Sequence, residues 1–160
     1  MQEVHENIYV GNEQDCFYNE REGWAVVHAC KNPCHAHAVG YSGSLQPTHP
    51  NYLIYEHGSH LFFNMVDMQQ ELQPRFTHPM IRKFLEFMQI NNGKKILIHC
   101  NFGESRSPSL TMLYLAKIGA IPNDNYANAS AEFRRIYPAF NPNRGITLYL
   151  QNNWNELMGM

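Results

Sequence analysis

A chain of 160 residues, 44% hydrophobic and carrying a net charge of −2, is long enough for one domain with its own core. Its 12 basic and 14 acidic residues leave no global basic field of the kind that nucleic acid or an anionic membrane would require. The polar start Met1–Glu6 is unlike a secretory leader and no apolar run reaches transmembrane length, so a single 1–160 domain in the reducing cytoplasm is expected.

Taken in order, the apolar and turn signals predict a strand over 7–12, a helix over about 13–22 and a strand over 24–30. A long loop is expected over 31–50, then strands near 52–56 and 61–66 joined at His57-Gly58-Ser59, which reads as a hairpin turn. A helix over about 77–91 presents Ile81, Phe84, Leu85 and Met88 on one face and stops at Asn91-Asn92-Gly93. The run Lys95-Ile-Leu-Ile-His99 makes 94–99 a buried strand, and helices are expected near 106–119, 124–137 and 145–158. Alternating strands and helices of this kind imply a mainly parallel sheet of four to five strands flanked by helices.

Between that buried strand and the next helix lies His99-Cys100-Asn101-Phe102-Gly103-Glu104-Ser105-Arg106-Ser107. A short loop opening a helix turns backbone N–H groups inward, and the helix end adds partial positive charge, so residues 101–106 are candidates to hold a tetrahedral anion. Pro108 sits in the first helical turn, where its missing N–H costs nothing. Cys100 lies beneath the anion and Arg106 reaches across it with a planar fork that lysine cannot match. A thiol is mostly protonated at neutral pH and only the thiolate attacks, so the inward N–H groups, the helix dipole and the Ser107 hydroxyl are read as thiolate stabilisers. Gly103 allows backbone conformations that a side chain forbids. His99 is expected to orient the loop through its ring nitrogens. The site is one for attack on phosphorus.

The pattern His-Cys-x-x-Gly-x-x-Arg-Ser resembles the signature of the cysteine-dependent protein tyrosine phosphatases, and the chain looks like their compact dual-specificity branch. Glu6-Asn-Ile-Tyr-Val-Gly-Asn12 is similar to that branch's opening strand and Trp24-Ala-Val-Val-His-Ala-Cys30 to its second. Pro142-Asn143-Arg144-Gly145-Ile146 resembles the turn before its last helix, with Ile146 where an aromatic is usual. About 130 residues can be laid onto the pattern. Phe102, where a small residue is common, and the negative Glu104 depart from it. The resemblance implies a three-layer architecture, a cysteinyl-phosphate intermediate, no cofactor and no metal. It also implies a general acid roughly thirty residues before the cysteine. Asp67 fits, delivered by Leu61-Phe-Phe-Asn-Met-Val66 and followed by the polar loop Met68–Pro74; Glu71 is a distant second. Asn143 is expected to brace the loop from behind. The expected substrate is a phosphorylated protein or peptide, on tyrosine, serine or threonine, turned over by a monomer without nucleic acid or membrane.

Other readings stay open at this point. They are a phosphate-binding pseudo-phosphatase, a sulfur carrier or arsenate reductase with the same Cys-to-Arg spacing, and a phosphatase of RNA 5′-phosphate or phosphoinositide. The last would call for a more basic rim than Asn101, Phe102 and Glu104 provide. Residues 28–37 gather His28, Cys30, Cys34, His35 and His37, a set of zinc-type ligands. Neighbouring side chains on so short a segment rarely all converge, which favours a polar loop beside the active-site mouth. By resemblance to a lipid-phosphatase relative, Cys30 is also a candidate redox partner for Cys100; the alternative is a buried, inert thiol.

Overall fold

In the computed structural model, which describes residues 1–160, six strands form one mixed sheet in the order β1-β2-β6-β3-β5-β4. They are β1 (Gln2–His5), β2 (Ile8–Gly11), β3 (Trp24–His28), β4 (Ile54–His57), β5 (His60–Phe63) and β6 (Lys95–His99). The four inner strands run parallel, and antiparallel β1 and β4 close the two edges. The expected four to five strands thus become six. The added strand, β1, is largely exposed and has no alternation strong enough to announce it. The β4–β5 hairpin turns at Gly58, whose φ of 58° fits the glycine read there.

The helices are α1 (Ala36–Val39), α2 (Pro74–Ile90), α3 (Arg106–Lys117), α4 (Tyr126–Ile136) and α5 (Arg144–Met158). Helix α2 starts a turn earlier than expected because Pro74 occupies its first turn, where proline's fixed φ suits a helix start. Side-chain alternation divides the sheet. Ala25, Val27, Leu61, Phe63, Ile96 and Ile98 join the main core of 33 buried residues with the four long helices. The opposite face is covered differently. Val26 and Leu97 pack there under Phe17, and Phe62 packs with Cys30 and Cys34.

The helix expected over 13–22 does not form. Asn12 Oδ1 accepts from the Gln14 N–H and Asp15 Oδ2 from the Asn12 N–H, so side chains take over the backbone pairing and favour a turn. The residues beyond it cross the second sheet face without helical pairing, placing Phe17 and Tyr18 against it. The expected 31–50 loop is ordered in its first half. A π-type turn at Lys31–His35 leads into α1, which ends at Gly40 with φ 94°.

Candidate active site

Strand β6 is paired on both sides, with His99 level with Gly11 of β2 and His28 of β3. Cys100 is therefore the first residue past the carboxyl end of the central strand, the edge at which parallel sheets bind ligands. The chain then turns through 101–105 into α3, and Cys100 is 1% exposed at the base of that turn. Gly103 has a φ of 72°, and a Cβ there would come within 3.0 Å of the Gly11 carbonyl oxygen. Both conformation and space demand glycine. Its N–H donates to Cys100 Sγ at 3.3 Å, and its carbonyl accepts from the Tyr137 hydroxyl at 2.7 Å. Burial pushes the Tyr137 pKa up, so the phenol keeps the proton it donates. The N–H groups of Asn101, Phe102, Glu104, Ser105 and Arg106 donate to no protein acceptor, which leaves the loop a ring of donors for an anion.

Ser107 Oγ lies 3.2 Å from Cys100 Sγ and 3.2 Å from the Gly11 carbonyl oxygen. With one proton, the hydroxyl serves the carbonyl while the cysteine is a thiol and can turn to the sulfur once it is a thiolate. Arg106 is 6% exposed, and its Nη1 donates to the Met65 carbonyl at 2.9 Å. Its other edge donates from Nε to Asp67 Oδ2 at 3.0 Å and from Nη2 to Asn101 Oδ1 at 2.6 Å. Asp67 Oδ1 accepts from Ser105 Oγ at 2.8 Å. Cys100, Arg106 and Asp67 thus line one cleft of about 550 Å³, with Lys31, Asn143 and Arg144 also on its wall. Phe102 stands 76% exposed at the rim.

Asn143 joins two loops, in a manner different from a simple brace. Its backbone N–H donates to Ser105 Oγ at 2.9 Å, while its side-chain oxygen accepts from Gln69 on the loop that carries Asp67. Gly145 continues that junction. Its N–H donates to the Met68 carbonyl at 2.9 Å, and its own carbonyl accepts from Leu72 at 3.2 Å. Glu71 points elsewhere and pairs with Asn152 of α5. His99 donates toward the Cys100 carbonyl at 3.3 Å through Nδ1 and meets His28 at 2.7 Å through Nε2.

Cys30 is fully buried, donates to the Asn32 carbonyl at 2.9 Å and clusters with Cys34 and Phe62, whereas Cys100 belongs to the main core. The Cys34 neighbour and burial push its thiol above the usual range, which works against a role in resolving an oxidised Cys100. Tyr137 and Gln69 escaped the sequence reading. Nothing local marks a tyrosine thirty-four residues away as a loop brace, and Gln69 is one polar residue in a polar loop.

The model of the dual specificity phosphatase catalytic domain matches residues 25–153. The chain is 39% identical over 75 residues to the tyrosine-protein phosphatase vhp-1 of Caenorhabditis elegans, covering 47% of this chain and 10% of that protein. It therefore spans about a tenth of the length of that relative. The human tyrosine phosphatase-like serine/threonine/tyrosine-interacting protein superposes with a TM-score of 0.65 at 20% identity, over 98% of this chain and 96% of that one. The structure of DUSP15 gives 0.63 at 16% identity, over 99% and 92%. These neighbours share the fold over nearly the whole chain, and the family match spans the cysteine loop, Asp67 and the Asn143 turn alike. The chain belongs to the dual specificity phosphatase catalytic-domain family.

Proposed function

We propose that the protein is a cysteine-dependent phosphatase that removes phosphate from tyrosine, serine or threonine side chains of proteins. The carrying observation is the convergence, in one cleft, of Cys100, Arg106 and Asp67 from different elements of the fold. A phosphoryl group seated on the free N–H donors places phosphorus above Cys100. The thiolate attacks, the bond from phosphorus to the leaving oxygen breaks, and Asp67 gives that oxygen a proton. Asp67 then takes a proton from water as the water attacks phosphorus, the sulfur–phosphorus bond breaks, and Ser107 donates to the departing thiolate.

The Arg106–Asp67 contact adds a step to this sequence. A carboxyl that delivers a proton must aim its O–H at the leaving oxygen, and the contacts with Ser105 Oγ and Arg106 Nε hold both its oxygens elsewhere. Phosphoryl oxygens arriving at the Nε and Nη2 edge of Arg106 would replace Asp67 Oδ2 and Asn101 Oδ1, releasing the carboxyl toward the leaving group. Arg106 meanwhile stays anchored through Nη1 on the Met65 carbonyl. The cleft wall mixes Lys31, Arg106 and Arg144 with Asp67 and Glu104, a balance suited to one phosphate on a protein rather than to a polyanion. No helix is long and apolar enough to cross a membrane. A cytoplasmic setting is part of the proposal because it keeps the thiol reduced.

The test varies the leaving group. Asp67→Asn should lose little activity on an aryl phosphate with an acidic phenol and about 10²-fold or more on phosphotyrosine, whose phenol has a pKa near 10. Cys100→Ser should abolish turnover of both substrates. A uniform loss in Asp67→Asn would remove Asp67 from the mechanism, and turnover by Cys100→Ser at the wild-type rate would remove the nucleophile.

A further inference from the structure

The sheet face turned away from the long helices carries a second constellation that shares only His99 with the phosphate-binding loop. Cys16, His28, Cys34 and His99 each offer one ligand atom, and the four atoms lie within 4.8 Å of one another. Cys16 comes from the irregular crossing after β2, His28 from the end of β3, Cys34 from the π-type turn and His99 from the end of β6. The two sulfurs are 3.8 Å apart; Cys16 Sγ is 3.5 Å from His28 Nδ1 and Cys34 Sγ is 3.9 Å from His99 Nε2. The two imidazole nitrogens stand at 2.7 Å. A tetrahedral zinc with Zn–S near 2.3 Å and Zn–N near 2.05 Å has edges of about 3.8 Å between sulfurs, 3.6 Å from sulfur to nitrogen and 3.3 Å between nitrogens. These three sulfur edges agree within a few tenths of an ångström, the two remaining sulfur–nitrogen edges lie within 4.8 Å and close by up to about 1.2 Å around the ion, and the imidazole pair needs to part by roughly 0.6 Å.

Counting protons leaves two nitrogen lone pairs facing the gap. His99 Nδ1 faces the Cys100 carbonyl, a pure acceptor, so Nδ1 carries the hydrogen and Nε2 a lone pair. His60 Nε2 faces the Asn19 carbonyl at 3.0 Å and must donate, so His60 Nδ1 accepts from His28 Nε2 at 2.9 Å. That leaves a lone pair on His28 Nδ1 as well. Two lone pairs therefore confront each other at 2.7 Å, with two thiols at the remaining corners. A shared proton or a metal ion between them relieves the repulsion, and the two cysteine sulfurs at the other corners suit the metal.

We propose that Cys16, His28, Cys34 and His99 bind one Zn²⁺ as a closed structural site behind the phosphate-binding loop. On binding, the two thiols release their protons to solvent, and two thiolates with two neutral imidazoles neutralise the ion. The centre fastens the loop without adding net charge beside Cys100. Outer partners are in place: His60 holds His28, the Cys100 carbonyl holds His99, and the Tyr18 hydroxyl donates to Cys34 Sγ at 3.4 Å. Partly exposed Cys16 gives the ion a way in.

The site also accounts for how the second face holds together. Its two apolar clusters contain only three buried residues each, and the segments covering it are a chain without helical pairing and a short turn. A metal supplies cohesion that so small a core does not. The ligand-rich run 28–37 contributes only His28 and Cys34. His35 is taken by Tyr41 and Asn51, His37 stacks on Tyr18, and Cys30 bonds the Asn32 carbonyl. The missing corners come from residues 16 and 99, so no spacing within one segment could reveal the site.

The experiment measures metal in reduced protein, purified without chelator and then reconstituted with Zn²⁺ or Co²⁺ and desalted. The wild type should retain about one zinc per chain, and its cobalt form should show the intense visible absorption of a tetrahedral dithiolate site. Cys16→Ser and Cys34→Ser should bind zinc at least tenfold more weakly, His60→Gln should weaken it about tenfold through the outer contact, and Cys30→Ser should bind like wild type. Wild-type protein holding less than about a tenth of an equivalent of either metal would overturn the site. So would an octahedral cobalt spectrum, or zinc retained unchanged in both cysteine variants. The wild-type cobalt spectrum decides even if a variant fails to fold, and metal content reads out independently of phosphatase activity.

Discussion

Gly145→Ala tests whether the acid loop is held by backbone contact. Gly145 has no positive φ to protect; the constraint is space. A Cβ there would sit 2.3 Å from the Gln70 carbonyl oxygen and 2.4 Å from that of Met68, and both are main-chain atoms that cannot rotate away. Restoring ordinary contact near 3.4 Å requires the acid loop and α5 to part by roughly 1 Å. That movement breaks or stretches the Gly145–Met68 and Leu72–Gly145 hydrogen bonds, and Met68 adjoins Asp67. Stability should fall by about 1–3 kcal/mol, as for overpacking elsewhere. A reacting group displaced by about 1 Å can lose about 10²-fold in rate, and the loss should follow the acid. Paired assays give the readout. Turnover of phosphotyrosine should drop about 10²-fold, turnover of an aryl phosphate with an acidic phenol far less, and alkylation of Cys100 by iodoacetamide should keep its wild-type rate. Equal losses on both substrates, or wild-type turnover of phosphotyrosine, would refute the link between Gly145 and the acid.

Arg106→Lys keeps the charge but loses the anchored fork on Met65 and the Nε–Nη2 edge, so kcat/KM should fall about 10²-fold or more on every substrate whatever its leaving group; a leaving-group-dependent loss would mean that Arg106 acts through Asp67 alone. Burial depresses the pKa of His35, whose Nε2 donates to the Asn51 carbonyl while Nδ1 accepts from Tyr41. Because the folded value lies below the unfolded one, its stabilising contribution is complete above about pH 6.5 and is lost as pH falls below that value, by up to about 1.4 kcal/mol per pH unit. Denaturant titrations should therefore show a shallower acid limb for His35→Gln than for wild type, and parallel limbs would exclude this source of acid sensitivity.

The catalytic loop was legible in the sequence because its parts are local. A buried β-branched run, a glycine needed at positive φ, and a helix beginning at Arg106 follow one another within a dozen residues, and each constrains the backbone directly. The aligned apolar face of α2 was readable for the same reason, since one helix's periodicity reports its own burial. Short-range side-chain pairing defeated the periodicity reading at Asn12–Asp15, where a turn displaced the expected helix. What only the tertiary structure decided is which distant residues meet. Arg106 holds Asp67 across thirty-nine positions, Tyr137 seats Gly103, and Cys16 faces His99 across the second face of the sheet. These meetings depend on strand order, which places β6 between β2 and β3 and brings His28 level with His99. Residue spacing encodes the local turn and the helical face, but side chains from separate strands converge only when the sheet aligns them.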